Sequence, residues 1–200
     1  MWPIASNDAL YEEHLAIAAL SPAESGNERM KRLFIIGTDH KHQFGPCKAF
    51  NRSEQACEAF TAYLRNKCEK LNVKTLAEEM CIDARIKWNI KQTVADVVAA
   101  DLSLHHADSD PTEQERAMLG ISNEGEIKMD GSMNGESDEN IQKIISAEYS
   151  KRENEWLCRL HQLKHEPVLF ICGSLHSRSL AIKSRQSGWK TVILNGNWKP

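Results

Sequence analysis

A chain of 200 residues with a formal net charge of −3 and 26% charged residues has the makeup of one globular domain, or one domain with an appendage. The near balance of 25 basic and 28 acidic residues argues against a chain whose main work is coating nucleic acid, which needs a basic face, and leaves room for a local basic patch. No apolar run approaches the roughly 20 residues that span a bilayer, and no basic segment followed by an apolar one opens the chain, so the expected compartment is cytoplasmic, with no membrane partner.

Residues 1–29 read as an appendage. SNDALYEEHLAIAAL has the pattern of an amphipathic helix with Ser6 or Asn7 as its N-cap, and SPAESGNER follows as a flexible linker. Residues 30–200 then form a single domain, and Met30 is a second candidate start. RLFIIG is a short apolar run ending in glycine, the pattern of a strand buried on both faces. NRSEQACEAFTAYLRNKCEKL places Ala56, Phe60, Tyr63, Leu64 and Leu71 at helical spacing. VKTLAEEM reads as a second strand ended by Glu78 and Glu79, IKWNIKQTVADVVAADL as a helix, and SLHHAD as a short strand or loop. DPTEQERAMLG suits a helix with Asp110 as N-cap, Pro111 in its first position and Gly120 as terminator. Residues 121–138 are polar and glycine-rich and read as a mobile loop. A long helix over ENIQKIISAEYSKRENEWLCRLHQL, a strand PVLFICG, a helix SRSLAIKSRQSG and a strand WKTVIL complete the chain.

Strands alternating with helices give an α/β fold, with a mostly parallel or mixed central sheet flanked by helices. The six cysteines contain no CxxC pair, so free and mostly buried thiols are expected rather than a zinc ribbon or disulfides.

One stretch is written twice. LFIIGTDH runs from Leu33 to His40 and LFICGSLH from Leu169 to His176, identical at five of eight positions. Each copy leaves the carboxyl end of an expected strand, where α/β sheets bind ligands. Gly37 and Gly173 permit a sharp turn there, with Thr38, Asp39 and Ser174 shaping the two loops. If the strands are parallel, His40 and His176 emerge on one edge, and one of Glu78 and Glu79 joins them, because adjacent strand residues face opposite ways. Two histidines and a carboxylate match the ligand set of a divalent transition metal that activates water. Without a metal, one histidine serves as general base and a glutamate as its partner or as an acid. Both readings stand beside a third, in which the histidines are structural. His42 is an assistant or part of a polar loop. His105 and His106 read as surface or supporting residues, and His14, His161 and His165 as solvated helix positions. Arg85 and Arg152 are candidates to hold substrate or brace the glutamate.

Together these residues resemble the superfamily that joins TraB-type proteins, the TIKI metalloproteases and erythromycin esterase, with ChaN-like heme-binding lipoproteins in the same circle. Gly37-Thr38-Asp39-His40 is similar to their GTxH. EEMCIDAR resembles their E-L-C-x-x-R and assigns Glu79, Cys81 and Arg85, the arginine one residue late. SKRENEWLCRL resembles their E-R-D helix, with Arg152 matching, Lys151 in place of glutamate and Glu153 in place of aspartate. The resemblance spans roughly residues 32–195 without the 121–138 segment. It implies an erythromycin-esterase- or ChaN-like α/β fold. It also implies a hydrolase of ester or amide bonds acting on a small molecule or peptide, with His40, Glu79 and His176 as metal ligands or catalytic groups. Manganese, cobalt, iron or zinc are the candidate ions, with heme binding or a non-catalytic regulatory role as the alternative.

Overall fold

The computed structural model describes residues 30–44 and 54–200. The helix and linker expected over residues 1–29 lie outside the described residues, as does Cys47. Strand β1 (Arg32–Thr38) leads into a short helix α1 (His40–Gln43) and then α2 (Glu54–Lys70). Next come β2 (Thr75–Glu78), α3 (Ile82–Lys87), α4 (Val94–Asp101) and β3 (His105–Asp108). Helices α5 (Glu113–Met118), α6 (Glu124–Met133) and α7 (Asp138–Gln162) precede β4 (Val168–Gly173), α8 (Ser177–Gln186) and β5 (Lys190–Trp198).

The sheet order is β3-β2-β4-β1-β5, and every neighbouring pair is parallel. Alternation along each strand divides the core in two. Phe34, Ile36, Leu76, Leu169 and Ile171 face α2 and α4, where they meet Phe60, Leu64 and Val98. Leu33, Ile35, Val168 and Phe170 face α7 and α8, where they meet Trp156, Leu160 and Leu180. Each such side chain contributes roughly 1.5–3 kcal/mol when fully buried. This two-sided burial explains why β1 and β4 read as unbroken apolar runs.

Several elements depart from the sequence reading: β5, expected over 189–194, continues to Trp198, α1 forms within a stretch read as a polar loop, and three further segments differ. The helix expected over 86–102 is two helices. Asn89 takes a left-handed φ of 51° after α3, and Thr93 caps α4 by accepting the Asp96 N–H while Asp96 accepts the Thr93 N–H. Helix α5 starts two residues later than expected, capped by Thr112 in the same reciprocal arrangement with Glu115, because Asp110 is turned inward. The segment 121–138, expected as a mobile loop, contains α6. The Glu126 carboxylate accepts the Asn123 N–H at its start (3.1 Å), and Ile127 packs with Ile141, Ile145 and Tyr149. No helix among the described residues is long and apolar enough to cross a membrane. Among those residues, Cys57, Cys68, Cys81, Cys158 and Cys172 are free thiols.

Candidate functional site

The two written-twice segments lie side by side. β1 and β4 are neighbours, and their connections depart in opposite directions, β1 toward β2 and β4 toward β5. Their carboxyl ends therefore flank the crevice where open α/β sheets take ligands. The pairing is staggered by one residue relative to the sequence echo, so Gly37 stands opposite Cys172 and Thr38 opposite Gly173. His40 begins α1 and His176 caps α8, so each histidine is held at a strand-to-helix turn. The loop residues serve these turns. Asp39 accepts the Lys41 N–H (3.0 Å), Thr38 donates to the Trp198 carbonyl (3.3 Å), and Ser174 N–H donates to the Thr38 carbonyl (2.9 Å).

The glycines permit close approach. A Cβ on Gly37 would collide with the Gly196 carbonyl oxygen. A Cβ on Gly173 would stand 3.0 Å from His40 Nε2 and 3.4 Å from Glu79 Oε2. Gly173 also donates its N–H to Glu79 Oε2 (2.8 Å), which draws Glu79 against the β4 end. Glu79 Oε1 lies 3.7 Å from His40 Nε2 and 3.0 Å from Arg152 Nη2. It faces that cation out of hydrogen-bond alignment and is otherwise unpartnered.

Each histidine has one nitrogen committed. His40 Nδ1 pairs with Gln43 Oε1 (2.8 Å), which turns Nε2 toward Glu79. His176 is only 4% exposed. Its Nδ1 pairs with Glu153 Oε1 (2.9 Å), and the edges of Tyr149 and Trp156 wall its ring. Burial pushes the Glu153 carboxyl up, but hydrogen bonds from His176, Lys183 and Ser179 override it and hold the group below the usual carboxylate range. An ionised Glu153 places the neutral ring's proton on Nδ1 and leaves Nε2 free as a base.

Helix α7 carries the supporting groups in two stripes. Tyr149, Glu153 and Trp156 address His176. Arg152, Trp156 and Arg159 address Asp110, at the spacing that shares a helix face. Asp110 is buried and accepts from Arg152 Nε (2.6 Å) and Nη2 (2.7 Å), from Trp156 Nε1 (2.9 Å) and from Arg116. Burial would raise its carboxyl, and the arginines hold it low instead. A cleft of about 490 Å3 opens over the assembly, with His40, Arg152, His176, Tyr149 and Leu175 among its walls.

The opposite face of the β2 and β3 ends holds a second charged cluster. Arg85, expected near Glu79, instead grips Asp96 (2.6 Å) and Asp108 (2.7 Å) and lies 3.5 Å from Glu78. Both ring nitrogens of His106 face carboxylates, Glu78 at 2.9 Å and Asp96 at 3.2 Å. Glu78, Asp96 and His106 are the one donor trio among the described residues drawn within 4.8 Å of one another, and His40, Glu79 and His176 are not that close. With both His106 nitrogens already engaged by carboxylates, this trio reads as an internal ion cluster rather than a metal seat.

The structure thus brings His40, Glu79, Arg152 and His176 to one edge and leaves Arg85 on the other face. His42 is buried edge-on to Trp198, and His161 accepts from Trp189 Nε1 (3.0 Å) rather than standing free in solvent. Lys151 donates to the Gly120 carbonyl and to Glu148, where it ties α7 to the α5–α6 linker. Sequence reasoning missed the roles of Asp110, Glu153 and Gln43. The readable signal for Glu153 was its place beside Arg152, four residues after Tyr149. Comparison with protein-family models, curated proteins and solved structures finds no match.

Proposed function

We propose that the chain hydrolyses an ester or amide bond, with His176 as the proton-transferring group. The carrying observation is the 2.9 Å pairing of a buried, ionised Glu153 with a histidine that lines the cleft. As a water oxygen attacks the carbonyl carbon, its proton passes to His176 Nε2. That proton then goes to the leaving oxygen or nitrogen as its bond to carbon breaks. Glu153 orients the ring and balances the imidazolium between the two transfers. Arg152 borders the cleft and supplies positive charge for the developing oxyanion. The resemblance to TIKI-type and erythromycin-esterase-type hydrolases supports the same reaction class.

Turnover of p-nitrophenyl esters and of short peptides tests this reading. His176→Ala abolishes turnover, and Glu153→Gln lowers kcat by roughly 10²–10⁴-fold, the range of a general base deprived of its orientation. Undiminished turnover by His176→Ala rejects the assignment.

One observation favours a metal-assisted variant. Beside the Arg152 guanidinium at 3.0 Å, Glu79 Oε1 is buried without an aligned hydrogen bond and lies 3.7 Å from His40 Nε2. These two groups would hold a manganese, cobalt, iron or zinc ion, which when bound supplies a Lewis acid for the carbonyl. Elemental analysis of protein purified without chelator decides between the variants. One ion per chain that disappears in His40→Ala supports the metal. Turnover by metal-free protein supports His176 acting alone.

A further inference from the structure

A second cavity of about 290 Å3 adjoins the cleft, and His40, Arg116 and Arg152 border both and form the partition between them. Its remaining wall is different in kind. Phe44, Met80 and Ala84 pack there with Ile90, and Trp88 stands 42% exposed at the lip. The polar groups that reach this cavity are already engaged. Asp110 is taken by Arg152, Arg116 and Trp156, and Glu79 Oε2 by the Gly173 N–H. Glu79 Oε1 lacks an aligned hydrogen bond and faces His40 Nε2, and the rest of the cavity recognises apolar surface.

The two cavities divide the substrate. His176 lines the cleft and not the second cavity, so the heteroatom that it protonates leaves on the cleft side. The group that stays on the carbonyl carbon then extends past His40 and Arg152, which border both cavities, toward Glu79. We infer that the Phe44–Met80–Ala84–Trp88 cavity is an acyl subsite, and that the substrate carries an unbranched aliphatic acyl chain. An apolar cavity of roughly 150 Å3 already holds benzene, so this one accommodates a chain of roughly six to eight carbons. The inference rests on the hydrolytic reading for its chemistry and on the cavity alone for its binding.

The test uses p-nitrophenyl esters from acetate to octanoate. In the wild type, kcat/KM rises about fourfold per added methylene up to hexanoate, the equivalent of ~0.8 kcal/mol per buried CH2. Ala84→Trp fills the cavity and removes that rise, so that acetate and hexanoate esters share one kcat/KM. Ala84→Leu, a smaller intrusion, moves the optimum to shorter chains. A wild type indifferent to chain length overturns the subsite. Binding of hexanoate, followed by ligand-observed NMR, separates the two claims. Hexanoate that binds wild type and His176→Ala but not Ala84→Trp upholds the subsite even where no ester is hydrolysed, and the hydrolytic reading then fails alone. Hexanoate that ignores wild type, or binds Ala84→Trp equally well, removes the subsite even where acetate esters turn over.

Discussion

Gly173 holds its position because of what stands against it. A methyl group there would press on His40 Nε2 at 3.0 Å and on Glu79 Oε2 at 3.4 Å, and both belong to the candidate site. Gly173→Ala therefore displaces His40 before it disturbs the core. Overpacking of this size costs roughly 1–3 kcal/mol, so the variant stays folded. Its expected signature is a tenfold or greater loss of turnover with a melting temperature lowered by only a few degrees, read by assay and calorimetry on the same sample. The two Gly-x-x-His copies made His40, His176 and the Glu79 edge legible in the sequence. The roles of Asp110 and Glu153 were not legible, because each depends on a partner more than 20 residues away that only the folded sheet brings near. The side of the sheet on which Arg85 works was also hidden. It follows from the face of Glu78, which alternation separates from that of Glu79.

At the scale of elements, the β2 and β3 ends carry charged clusters on both faces, and the one around His106 sets a pH dependence. Burial would lower the pKa of His106, but Glu78, Asp96 and Asp108 raise it, while burial raises that of Glu78. A raised folded-state value means that folding retains a proton which the unfolded chain releases near pH ~6.5. The stabilisation is therefore complete below that pH and is lost as pH rises through the higher folded value. Melting temperature measured from about pH 6 to about pH 9 falls in the wild type, and the fall is shallower in His106→Gln. Equal slopes would remove His106 from this account. Helix α6 shows why composition misleads at this scale. Apart from Ile127, its packing comes from Ile141, Ile145 and Tyr149 on α7, so the segment looks like a loop when read without its partner. β1 and β4 suffered no such loss, because their burial on two faces is written in their own residues, whereas the half-exposed β3 was left open between strand and loop.

For the whole molecule, the strand order matters more than any single contact. β4 lies between β2 and β1, so the first half of the chain cannot build a continuous sheet on its own. Residues 30–137 expressed alone are expected to show neither sheet signal by circular dichroism nor dispersed NMR spectra. Adding residues 138–200 restores both, and a fragment that folds unaided would contradict this. Both neighbours of β1 are also C-terminal to residue 167. From Thr38 to Val168 the ribosome must add 130 residues. At roughly 5–20 residues per second this takes about 6–26 s. Throughout that interval both of the neighbours that Leu33–Ile36 takes in the described sheet, β4 and β5, have yet to be made, so a chaperone that covers this apolar stretch guards the segment leading into His40.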